Sequence, residues 1–136
     1  MTGRTDMLRQ ARTRARAVAR LRKSKARYDR DLARRGCEAG QRWAMEVAEF
    51  VELGCLGDLA EADDLATRYR SPHPTFSPGE RLYFDVCEAR DGDRRAAAAF
   101  WDYSLNAESH LANDAAFVTG FALAAVAFLD EVKTEL

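Results

Sequence analysis

Residues 36–48, Gly36-Cys37-Glu38-Ala39-Gly40-Gln41-Arg42-Trp43-Ala44-Met45-Glu46-Val47-Ala48, carry a Gly or Ala at every fourth position: Gly36, Gly40, Ala44 and Ala48. Four-residue spacing stacks those positions on one face of an α-helix, and small side chains turn that face into a groove. Glycine costs roughly 1 kcal/mol relative to alanine inside a helix, but it lets another backbone come close. The same spacing recurs near the C-terminus in Ala116, Gly120 and Ala124. The two faces are expected to cross at short distance, with their four-residue rows interdigitated.

Working outward, the helical period persists and strand signals do not appear: there is no sustained apolar/polar alternation and no Asn-Gly hairpin. The expected fold class is all-α, a small helical bundle with a long basic N-terminal helix. Helices are expected over roughly 5–35, 37–53, 58–70, 78–91, 93–105 and 114–134. The first two can equally run on as one rod, because only Gly36 and Gly40 interrupt the stretch before Trp43. Gly54 and Gly57 are read as a short break, with Asp58 capping the next helix. All three prolines fall in 71–80, so that segment is a loop. It closes with Ser77-Pro78-Gly79-Glu80, a capping box with Pro in the first helical position. Asp91-Gly92-Asp93 is a second break, and Asn113 or Asp114 can cap the last helix.

Core candidates include Trp43, Val47, Phe50, Val51, Leu56, Leu59 and Leu65, then Leu82, Phe84, Val86, Phe100 and Trp101. Phe117, Phe121, Val126 and Leu129 complete the set. Phe76, in the proline loop, is expected to stay at the surface, where it, Tyr69 or Trp101 could stack on a base or anchor an interface.

Charge divides the chain more sharply than hydropathy does. The first thirty-five residues hold thirteen Lys or Arg against three acids, and the rest hold eight against nineteen, under a net charge of only -1. The expected domains are therefore a basic helical arm, 1–35, and an acidic helical bundle, 36–136. Within the arm, Arg9, Arg12, Arg16, Arg20, Lys23, Arg27, Arg30 and Arg34 follow one another at spacings of three or four. At 100° per residue they occupy an arc of about 80°, one cation per turn over ~37 Å of helix. Leu8, Ala11, Ala15, Ala19, Ala26 and Ala33 form a shallow apolar stripe roughly a quarter-turn away.

A cation on every turn, mostly Arg, suits phosphate contact without base readout. The expected function is that of a non-enzymatic accessory protein holding DNA or RNA backbone on these eight residues, as a subunit of a nucleoprotein complex, while its acidic body docks on another protein or on a second copy. Zinc-finger spacing, an RNP motif and a helix-turn-helix are not seen. The alternative is an adaptor or inhibitor whose acidic body engages a basic protein or a second copy, with Glu61, Asp63, Asp64 and Phe76 as partner-binding residues. Asp85, Glu88, Asp91 and Asp93 add a second acidic patch. A membrane-surface helix would want Trp, Phe or Leu where the arm has Ala.

No cofactor, metal or catalytic residue is implied. Glu46, Glu49 and Glu52 read as a solvated acidic face, since no Glu-x-x-His pair accompanies them. His73 and His110 stand apart from any nucleophile with an orienting third group. Cys37, Cys55 and Cys87 lack metal spacing and read as free, mostly buried thiols in a reducing, cytoplasmic setting. The basic N-terminus lacks a following apolar region, and Asp6 with few Ser or Thr argues against an organellar presequence. Ala115–Leu129 is apolar over about 15 residues, short of the ~20 a bilayer needs, so it reads as a core helix and no membrane is expected.

Overall fold

The first helix, α1, runs unbroken over Thr2–Glu46, 45 residues, in the computed structural model, which describes residues 2–88 and 114–136. Gly36 and Gly40 lie inside it, so of the two sequence readings the continuous rod is the one adopted. It ends where the N–H groups of Val47 and Ala48 both donate to the Trp43 carbonyl, at 3.0 and 2.9 Å. Four shorter helices follow among the described residues: α2 over Phe50–Ala62, α3 over Leu65–Arg70, α4 over Pro78–Glu88 and α5 over Ala115–Val132. A 3-10 turn, Lys133–Glu135, closes the chain. The helix expected over 93–105 and the Asp91-Gly92-Asp93 break lie outside the described residues.

Local chemistry sets most of these boundaries. At the start of α4 the Ser77 N–H donates to Glu80 Oε1 (3.3 Å) and the Glu80 N–H to Ser77 Oγ (3.2 Å), the expected capping box. Asp114 caps α5 by accepting from the Ala116 N–H at 2.9 Å, and Asp64 caps α3 from the Ala66 N–H at 3.2 Å. The break between the second and third expected helices is misplaced in the sequence reading. Gly54, Gly57 and Asp58 all lie within α2, which starts instead at a capping box between Glu49 and Glu52. The Glu49 N–H donates to Glu52 Oε1 at 2.9 Å. Glu52, expected on a solvated acidic face, is consequently buried at 4% exposure.

That shift also explains the core residues that were misassigned. With the break at 47–49, α2 turns Glu52, Leu53 and Leu56 inward, and Phe50 and Val51 lie roughly 100° or more away from that face. Both are exposed, as is Phe84, because Leu82 and Val86 share the inner face of α4 at i and i+4. Leu32, Leu53 and Tyr69 fill the core instead, beside Trp43, Leu56, Leu65, Phe117 and Phe121. Val47, Leu59 and Val126 are half-buried against it. Phe100 and Trp101 lie outside the described residues.

Helix α5 is the centre of this core, packing against α2, α3 and α4. Its crossing with α1 is the close one expected from the small residues. A Cβ built on Gly36 would stand 2.0 Å from the Phe117 carbonyl oxygen, one on Gly40 2.2 Å from that of Phe121, and one on Gly120 2.3 Å from that of Ala33. Backbone touches backbone there, and only hydrogen fits. One turn further on, Trp43 packs its ring on Phe121 with centroids 5.4 Å apart. By length and composition, Ala115–Glu135 is apolar enough over 21 residues to cross a membrane, longer than the run counted from sequence, and half of that window is buried here.

A buried polar knot ties α2, α3 and α4 together. Asp85, 7% exposed, accepts from Arg68 Nε (2.9 Å), Arg68 Nη2 (2.5 Å) and the Tyr69 hydroxyl (2.8 Å). Cys55 Sγ donates to the Asp85 carbonyl at 3.0 Å. Burial, reinforced by the Asp85 charge, pushes the Tyr69 hydroxyl pKa well above the ordinary tyrosine value. The fork of charge-assisted bonds from Arg68 to Asp85 keeps the guanidinium protonated. By contacts the chain divides into two units, Met1–Asp31 and Leu32–Leu136, and the boundary falls just before Leu32 enters the core.

Candidate nucleic-acid interface

The described residues of the first unit, 2–31, are all helical, and residues 3–16 and 19–28 are exposed to solvent. Seven of the eight ridge residues belong to it: Arg9, Arg12, Arg16, Arg20, Lys23, Arg27 and Arg30, all exposed. Helical geometry lines them up within an arc of about 80°, a cation every ~5.4 Å. Among the described residues, none of the seven makes an ion pair. The eighth, Arg34, belongs to the second unit and stands 3.7 Å from Glu38. Lys25, which is off the ridge, holds Asp29 at 2.8 Å.

The remaining faces of this unit are less uniform than the sequence reading supposed. Met7, Leu21 and Tyr28, at 70%, 59% and 56% exposure, lie about 120° or more from the middle of the ridge, a bulkier apolar line than the Ala stripe. Arg14, Arg22 and Lys25 share that side. Positive charge therefore surrounds the helix, and the ridge is its densest line.

In the second unit the expected acidic partner-binding residues have local duties. Asp64 caps α3 and also accepts from the Thr67 hydroxyl at 2.9 Å, and Asp63 lies 3.6 Å from Arg68. Glu61 is exposed. Phe76, 37% exposed, does not sit alone. Its ring packs on His73 (centroids 5.2 Å) and edge-on against Phe84 (4.9 Å). Arg68, His73, Phe76, Arg81, Phe84 and Asp85 line one open cleft of about 470 Å³. The sequence reading missed this grouping: His73 and Arg81 come from a loop and a helix eight residues apart, and Phe84 was assigned to the core. The signal that could have found it was the odd phase of Phe84 between Leu82 and Val86.

Cys37 and Cys55 are less buried than expected. Cys37 is exposed, since it sits off the small-residue face of α1, and Cys55 is half-buried. Packing around the sulfur, with Glu38 adding to it, pushes the Cys37 thiol pKa up, which disfavours the thiolate. The side chain of Cys87 and the whole of His110 and Glu88's acidic neighbours Asp91 and Asp93 lie outside the described side chains. Among the described residues no three His, Cys, Asp or Glu side chains converge as a metal-binding group. No family model, no curated protein and no solved structure matches this chain.

Proposed function

We propose that this chain is a non-enzymatic accessory protein that holds nucleic-acid backbone along Arg9, Arg12, Arg16, Arg20, Lys23, Arg27, Arg30 and Arg34, as a subunit of a nucleoprotein complex. The observation that carries the reading is the line of seven exposed cations, one per turn, none of them neutralised by an ion pair among the described residues. A cation held on every turn meets regularly spaced phosphates, and release of their counterions supplies the affinity. The contacts are to backbone, so the binding is insensitive to sequence.

The adaptor reading draws on the same acidic residues that the second unit uses internally. Asp64 is engaged as a helix cap and Asp63 lies beside Arg68, so two of that reading's four named residues already have partners within the second unit. The nucleic-acid reading is therefore the one adopted, for a protein acting away from membranes in the cytoplasm.

Fluorescence anisotropy with random single- and double-stranded DNA and RNA, across a salt series, tests it. The natural chain is expected to bind with a log–log salt slope of several units. Replacing Arg12, Arg16 and Arg20 by Ala should flatten that slope by about three units, and reversing them to Glu should abolish binding. Unchanged binding in the Glu variant, or none by the natural chain at low salt, overturns the proposal.

A further inference from the structure

The cleft on the second unit combines two exposed rings, one cation with no carboxylate partner among the described residues and one ring N–H donor, none of which the ridge reading uses. Phe76 and Phe84 are 37% and 43% exposed, and they meet edge-on with an interplanar angle of 69°. His73 also lies against Phe76 at 30° and Tyr83 meets Phe84 edge-on, so what the pair offers a ligand is its remaining exposed surface. Of the two arginines, Arg68 is neutralised by Asp85 and lies near Asp63, whereas Arg81 gives one N–H to the Ser71 carbonyl at 2.8 Å and meets no carboxylate among the described residues. Arg81 is thus the cation of the cleft that has no carboxylate beside it among the described residues.

His73 is held in one tautomer. Its Nδ1 accepts from the N–H groups of Thr75 (3.1 Å) and Phe76 (3.0 Å), so in the neutral ring the hydrogen is on Nε2. The same two bonds engage the N–H groups of Thr75 and Phe76. The cleft offers exposed ring surface, the Arg81 cation and the His73 Nε2 donor. That set suits a base bearing one phosphate charge.

From this we propose that the cleft is a stacking site for one unpaired nucleotide, its base against Phe76 and Phe84 and its phosphate on Arg81, with His73 Nε2 as a donor. The site deepens the nucleic-acid reading by naming a single-stranded ligand, since in a duplex the base faces are covered. Stacking of this kind accepts any base.

Two octamers separate the site from the ridge: single-stranded dT8 and an abasic octamer with the same phosphates. The natural chain should bind dT8 about ten-fold tighter, the effect of stacking one base. The F76A/F84A double variant, both of whose altered rings are exposed, should bind the two alike and the abasic strand as before. The R12E/R16E/R20E variant should weaken both strands and keep their ratio. Equal binding of both strands by the natural chain overturns the cleft and leaves the ridge standing. A ridge failure does not hide the site either, because the dinucleotide TpT should still shift the Phe76 and Phe84 ring signals in the NMR spectrum of R12E/R16E/R20E. No shift with TpT, or a shift only with the peptide Glu-Asp-Phe, overturns the proposal.

Discussion

Thr119 and Tyr69 show how differently a single buried hydroxyl can be treated. Tyr69 is 1% exposed and gives its hydrogen to Asp85, so its polar end is satisfied inside the core. Thr119, 5% exposed in α5, has a buried Oγ1 with no hydrogen-bond partner among the described residues. Thr119→Val keeps the shape and removes the stranded group, and should raise unfolding free energy by about 1 kcal/mol in urea titration. A loss of stability would show that the hydroxyl is bonded after all. Tyr69→Phe should cost about 1.5 kcal/mol at neutral pH, because Asp85 loses one of three donors. Neither assignment was open to the sequence: Tyr69 looked like a loop-end aromatic, and its burial depends on α4 bringing Asp85 to it.

At the scale of elements, identical residues acquire opposite roles from their surroundings. Gly36 in α1 has the Phe117 backbone against it, and Gly54 in α2 has nothing within 4 Å of where a Cβ would stand. Gly36→Ala must force two helix backbones apart and should cost roughly 3 kcal/mol in chemical denaturation. Gly54→Ala should stabilise α2 by up to about 1 kcal/mol, the ordinary propensity gain. Similar values for the two variants would mean the crossing is not close. The crossing itself was legible in the four-residue repetition of small residues on both helices. The α1–α2 break was not, because two glycines near Leu53 outweighed a capping box built from Glu49 and Glu52. Glutamate at the N-cap is a weak local signal.

Over the whole molecule, titration of the buried knot sets a pH limit on the fold. The folded Tyr69 pKa lies above that of the unfolded chain, about 10. Its contribution to stability is therefore full below pH ~10 and is lost as pH rises toward the folded value, since the unfolded state releases the proton first. Urea midpoints measured from pH 8 to 11 should fall above about pH 10, and Tyr69→Phe should flatten that fall; an unchanged fall would place its origin elsewhere. The same distinction between local and assembled properties runs through the protein. By itself the sequence determined the helical class, the capping box at Ser77, a cap at 113 or 114, the two small-residue faces and the basic line along α1. Each cap and each helical face is written in residues three or four apart, where period and capping chemistry act directly. Only the tertiary structure decided that Phe84 and Phe76 share a cleft with Arg81, that Glu52 is buried and that Arg68 and Asp85 pair. Those depend on how the helices α2, α3 and α4 are rotated about their axes. Sequence period leaves that rotation open, and core packing sets it.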